Sequence, residues 1–388
     1  MQLLTPLPTL CFPHDFDPLT ITDCPTGEGQ TISVTIEDEY GGGSPILEAT
    51  LTPTPTGEAT LYDLSSTLID YLEGQTADPT QGAPLFLGIS VKADGTELAS
   101  CALIPCRHRL SFPASELLST RFLSLQAAAE GPLPVPQGSA AEQPLSFIEK
   151  SDGTNPKEEL PIRIAAAFAP TATGGEARIL SFSVAAHLQN EMDETGFLLY
   201  RANLCPGAIL DAVPEEDRPS IQDMELTAYI AFRGRRRASF LCLPPSLCLD
   251  DEGPRSLLFL DCFMQPQVLH FFGSSTLTLK PTFNALTTPS GQNLNYLIEA
   301  APTLKLSSGP IISQTQRTML RDIATARHIF RLPTLEPLTL TDTDLKLQPT
   351  PGEPLTASIT LRRAATGQAF SPSGPAKTFD QTFDKTYL

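Results

Sequence analysis

The chain has 388 residues, 41 % of them apolar, with a net charge of −18 and 37 prolines. That length exceeds what one core organises, and the proline load argues against a helical bundle, because proline breaks helix interiors and is tolerated at sheet edges and bends. The acidic balance repels phosphate backbones and anionic lipid, which sets nucleic acid aside as a partner; no apolar run approaches the roughly 20 residues needed to cross a bilayer, so no membrane insertion is expected.

The predicted fold class is mainly β, with two or three β-sandwich-like domains and short helices in crossovers. The opening "MQLLTPLPTLC" lacks a basic n-region and is interrupted by prolines, so the chain reads as made and folded in the cytoplasm. Residues 1–125 read as an N-terminal β domain. The alternating runs "TISVTIEDEY" and "PILEATLTP" precede "PLFLGISVKADGTELASCALIP", where Asp94-Gly95 marks a hairpin turn. Between them "YDLSSTLIDYLEG" predicts one short helix, with Asp63 as cap, Leu64, Leu68, Tyr71 and Leu72 on one face, and Gly74 at the end.

Residues 126–143, "QAAAEGPLPVPQGSAAE" and its surroundings, predict a linker or exposed arm. A second β domain spans 144–255. Its hairpin "TAYIAFRGRRRASFLCL" carries Arg233, Arg235, Arg236 and Arg237 around Gly234, read as a solvated tip, as a phosphate or acidic-protein contact, or as a contact with the acidic N-terminal region of another copy. A C-terminal β domain spans 256–370. Within it "SGPIISQTQRTMLRDIATARHIF" predicts an amphipathic helix near 310–330, with Pro310 at its first position and Ile312, Met319, Leu320, Ile323 and Phe330 on one face. "LTLTDTDLKLQP" and "PLTASITLRRAA" predict a closing hairpin. Residues 371–388 form a C-terminal tail whose Phe379, Phe383 and Tyr387 share a side in either a helix or a strand.

Little in the sequence converges on chemistry. Phosphate-cradling, zinc-protease and nucleophile-elbow motifs are absent, so no catalytic residue, cofactor or metal is assigned. The histidines, at 14, 108, 187, 270 and 328, are scattered; His270 in "VLHFFG" reads as a strand histidine. Eight cysteines lack zinc-knuckle spacing and read as reduced, buried thiols. The acidic clusters at 37–39, 250–252 and 342–344 read as exposed turns, and calcium there is left open because no EF-hand pattern accompanies them.

The C-terminal block "LLFLDCFMQPQVLHFFGSSTLTLKPTFNALTTPSGQNLNYLIEAAPTLKLSSGPIISQTQRTMLRDI", with the closing "FDQTFDKTYL", resembles a group of tail- and baseplate-type structural proteins of phages and prophages of gut anaerobes. Phe263-Met264-Gln265-Pro266, Gly273, Tyr296, Glu299 and Phe379 to Phe383 match that group's motifs in order, over roughly the last 135 residues. The resemblance implies a virion or tail component and brings no catalytic residues. The expected function is therefore a non-enzymatic structural subunit of a phage tail, baseplate or related contractile particle, made in the bacterial host cytoplasm and then incorporated. Its expected partners are copies of itself and other tail or baseplate subunits. An exposed stripe of three aromatics suits an anchor in a neighbour's groove, contributing on the order of 5 kcal/mol before ordering costs; folding back on its own domain is the alternative. Two rival readings are a receptor- or glycan-binding adhesin and a carboxylate-dependent polysaccharide hydrolase, and the absence of tryptophan weighs against sugar platforms.

Overall fold

The computed structural model describes residues 1–39, 45–75, 87–124, 131–137, 142–151, 157–168, 178–192, 196–205, 207, 211, 215, 226–232, 235–244, 255–287, 293–345 and 355–363. The chain is mainly β, as its composition predicts. The N-terminal part contains β1 (Gln2–Leu3), β2 (Leu10–Cys11), β3 (Leu19–Thr22), β4 (Ile32–Asp38), β5 (Pro45–Leu51), β6 (Ala59–Leu61), helix α1 (Leu64–Gly74), β7 (Leu87–Ala93) and β8 (Thr96–Leu103). These strands form a three-stranded sheet, β1-β3-β6, and a five-stranded sheet, β2-β8-β7-β4-β5. Alternation turns Ile32, Val34 and Ile36 inward, where they meet Ile21, Ile89 and Val91 and the apolar face of α1. Each such fully buried side chain contributes roughly 1.5–3 kcal/mol.

The predicted α1 is present, but its cap differs. Asp63 has φ +59° and makes no side-chain cap. The two oxygens of Asp17 accept instead from the N–H groups of Leu64, 2.7 Å, and Ser65, 2.9 Å. Burial works to raise the Asp17 pKa, and the Ser65 and Leu64 hydrogen bonds outweigh it, leaving this carboxyl below its ordinary value. A residue distant in sequence thus takes the capping role. The hairpin at Asp94-Gly95 joins β7 and β8, with both residues at positive φ.

The middle of the chain contains β9 (Leu133–Pro136), β10 (Gln143–Lys150), β11 (Glu159–Phe168), β12 (Arg178–Met192), β13 (Phe197–Leu204), β14 (Leu226–Phe232) and β15 (Arg236–Leu243). They order as β10-β13-β12-β11-β14-β15-β9. The β9 strand corrects an expectation, because it lies inside the stretch read as a linker or arm. All of its residues are buried, and it pairs in parallel with β15. Its prolines are accommodated because β9 is an edge strand.

The last part contains β16 (Arg255–Leu260), β17 (Pro266–Phe271), β18 (Ser275–Thr287), β19 (Asn293–Ser307), helix α2 (Gln314–Thr325), β20 (Ile329–Arg331), β21 (Glu336–Leu345) and β22 (Ala357–Arg363). Its seven strands order as β17-β16-β20-β21-β22-β19-β18. The closing hairpin is β21–β22. The helix is shorter than predicted: Ser313 caps it, its side chain accepting from Gln316 N–H at 3.1 Å. Ile312 is left exposed and Phe330 falls on β20. Met319, Leu320 and Ile323 form its buried face, as the spacing predicts. Among the described residues β19 meets β22 over Thr303–Ser307 and β18 on its other side, and Leu277 and Leu279 on β18 are exposed.

The two seven-stranded sheets share one core, in which Phe147, Ile164 and Phe240 meet Phe259, Phe271 and Ile359. The position expected as a domain boundary, 255/256, therefore joins sheets whose buried residues form a single cluster. A smaller cluster links all three parts of the chain: Leu10 and Ile104, then Ile148 and Leu199, then Cys262 and Phe263.

Candidate functional site

The turn between β16 and β17, Asp261–Gln265, sits where these cores meet. Met264 packs in the N-terminal core and Cys262 and Phe263 in the linking cluster, while Phe259 and Leu269 on the flanking strands belong to the large one. Asp261 builds the turn. Its Oδ1 accepts from the N–H groups of Phe263 and Gln265, both at 2.9 Å, and its carbonyl accepts from Met264 N–H at 2.9 Å. Met264 takes φ +56° to close it. The turn is held from outside as well. Asp322 on α2 accepts from Cys262 N–H at 2.8 Å, and Gln265 Oε1 accepts from Arg201 Nη2 at 2.8 Å.

Arg107, on the segment leaving β8, ties the N-terminal part to this turn. Its N–H donates to the Cys262 carbonyl at 2.8 Å and its Nη1 to the Leu260 carbonyl at 3.2 Å, while its Nε pairs with Glu73 of α1 at 2.9 Å. Glu73 also receives Arg327, just beyond α2. His108 stands at the rim, 3.5 Å from Asp322 Oδ1 and 3.2 Å from Thr325 Oγ1.

Burial and the neighbouring Asp322 charge hold Asp261 well above the ordinary carboxyl range, against the opposing pull of the Gln265 and Phe263 hydrogen bonds and of Arg107. Asp261 and Asp322 are 3 % and 4 % exposed, and each commits an oxygen to backbone N–H groups. The pair is therefore arranged to hold a turn. It is not arranged as acid and base across an open cleft, where both carboxyls must reach a substrate. Among the described residues, no group of three or more His, Cys, Asp and Glu side chains is placed to hold a metal ion.

One further buried polar contact joins the two large sheets, and a second holds the same ring within its own sheet. His270 on β17 lies 2.7 Å from Gln143 of β10 through Nε2 and 2.7 Å from Ser256 through Nδ1. Burial pushes its pKa down to about 3, so the ring is neutral and bridges two sheets. The strand placement inferred for His270 holds.

The arginine cluster divides. Arg235 and Arg237 are exposed beside the β14–β15 hairpin connection, and Arg233 lies outside the described residues. Arg236 points inward. Its Nε donates to the Arg121 carbonyl and one Nη2 bond goes to the Leu117 carbonyl, both at 3.0 Å, with another to Ile148; its Nη1 pairs with Glu149. The guanidinium centre lies 5.4 Å from the Phe147 ring. A solvated or intermolecular role assigned to the whole cluster is corrected for Arg236, which is 2 % exposed. The signal for this was present: Ala238, Phe240 and Cys242 face inward on β15, and position 236 is in phase with them. Phe379, Phe383 and Tyr387 lie outside the described residues.

No helix among the described residues is long and apolar enough to cross a membrane. No protein-family model matches the chain, and no curated protein matches it.

Proposed function

We propose that the chain is a non-enzymatic structural subunit of a phage tail, baseplate or related contractile particle, acting through association with copies of itself and with other subunits. One observation carries the reading. The polar groups that look most like chemistry, Asp261, Asp322, Arg107, Glu73, His270 and Arg236, are committed to bonds between sheets and helices inside the chain. Among the described residues, groups so committed suit a body that transmits position and load. The exposed Leu277 and Leu279, on β18 at the end of its sheet, add a surface suited to docking. The acidic surface is consistent with a particle component that avoids nucleic acid. On this reading the protein is made in the bacterial host cytoplasm and then incorporated in a virion or tail-like particle.

Sedimentation velocity across a wide concentration range tests it, with the full chain beside a variant lacking residues 377–388. Concentration-dependent oligomers that weaken on truncation are expected. A strictly monomeric chain, indifferent to the truncation, overturns the reading. Cell-surface or glycan binding by that monomer would then favour an adhesin.

A further inference from the structure

Six of the described cysteines are buried and free, and in two pairs the thiols are near enough to influence each other's ionisation: Cys11 with Cys101, and Cys106 with Cys262. The backbone treats the two pairs differently. β2 runs parallel to β8 with Cys11 opposite Leu103, so Cys101 is offset by two residues along the partner strand. That diagonal separates the α-carbons by about 8 Å, which a disulfide cannot span without backbone movement. For the other pair, Arg107 N–H bonds to the Cys262 carbonyl at 2.8 Å. Standard backbone dimensions across that bond bring the α-carbons of Cys106 and Cys262 within about 6 Å, inside disulfide reach.

We propose that Cys106 and Cys262 are a site of reversible disulfide formation, oxidised by a small-molecule disulfide of the glutathione type. The bond would link the segment leaving β8 to the β16–β17 turn. The Cys106 thiol loses its proton and its sulfur attacks one sulfur of the small disulfide, releasing one thiol and leaving a mixed disulfide. The Cys262 thiolate then displaces the second thiol, forming the protein S–S bond; two protein thiols are oxidised and one disulfide is reduced to two thiols. Burial, the Cys106 contact and the Asp322 charge raise the Cys262 pKa, so exchange is slow while the site is closed. It proceeds through opening of the irregular segment 107–112, whose residues are partly or fully exposed. The link closes a loop of roughly 155 residues and so restricts the unfolded chain.

The test is incubation of the folded full chain in defined mixtures of oxidised and reduced glutathione, followed by non-reducing peptide mapping, intact mass and thermal melting. The expected product is one link, Cys106 to Cys262, with loss of two hydrogens, reversal by dithiothreitol and a raised melting temperature. Cys262→Ala and Cys106→Ala each abolish the shift, while Cys11→Ala leaves it. No link, an unresolved glutathione adduct, or a Cys11–Cys101 link formed in preference overturns the proposal. Mapping of the unsubstituted chain decides the matter even if an alanine variant fails to fold.

Discussion

Arg236 and Glu149 form an ion pair inside the protein, their side chains 3 % and 13 % exposed, with the remaining guanidinium donors directed at the Arg121, Leu117 and Ile148 carbonyls. Removing one member of such a pair strands the other as a buried, uncompensated charge. Arg236→Met is therefore expected to destabilise the protein by about 3–5 kcal/mol in chemical denaturation. Arg235→Ala and Arg237→Ala, at exposed positions, should change it by less than about 0.5 kcal/mol. Equal effects at all three positions would refute the inward placement of Arg236.

His270 makes stability depend on pH below neutrality. Its folded pKa is about 3 and its unfolded value 6.5. Above 6.5 both states hold a neutral ring and the group contributes no slope. As pH falls below that value the unfolded chain takes up a proton that the native protein refuses, and stability declines until the pH approaches the folded value. The expected loss by pH 5 is about 2 kcal/mol. Denaturation midpoints at pH 7 and pH 5, compared between the natural chain and His270→Gln, read it directly; the variant should show the smaller drop.

Asp261 acts with the opposite sign. Its folded pKa lies above the unfolded one, so its favourable contribution is complete below about pH 3.8 and is lost as pH rises through the folded value. Asn keeps an acceptor for the Phe263 and Gln265 N–H groups and carries no charge. Asp261→Asn should gain stability relative to the natural chain as pH rises. Asp261→Ala leaves two buried N–H groups without their acceptor, at a cost of about 1–3 kcal/mol for each. A urea series at pH 4 and pH 7 separates the two outcomes, and an Asn variant that weakens with rising pH contradicts the assignment.

Gly273 is fixed by contact. A Cβ there would lie 2.6 Å from Ser307 Oγ and 2.7 Å from Gly309 N, the latter a backbone atom that cannot step aside. Gly273→Ala is expected to cost about 1–3 kcal/mol as the β17–β18 connection is forced off the 307–309 segment. Thermal melting of the variant checks this; an unchanged transition means the backbone yields freely.

The strands that built the core were the most legible features, because burial repeats along them. Ile32, Val34 and Ile36 announce their phase, and Met319, Leu320 and Ile323 announce a helical face. Boundaries were less so: Pro310 looked like a helix start, while Ser313, able to accept from Gln316, fixed the actual one. The β9 strand was hidden by its composition, since Leu133 and Val135 alternate with prolines that only an edge position accommodates.

The sequence by itself determined the class of the protein: acidic, rich in proline and turns, and built from short alternating strands that sort into sheets because each must bury one face. Tertiary structure alone decided which polar residues distant in sequence are partners. Asp17 finds the start of α1 across 47 residues, Arg107 reaches the carbonyl of Leu260 across 153, and Gln143 meets His270 across 127. Those meetings follow from how whole sheets stack, a long-range outcome of apolar burial. No local pattern around Asp17, Arg107 or Gln143 records where a partner so distant will be.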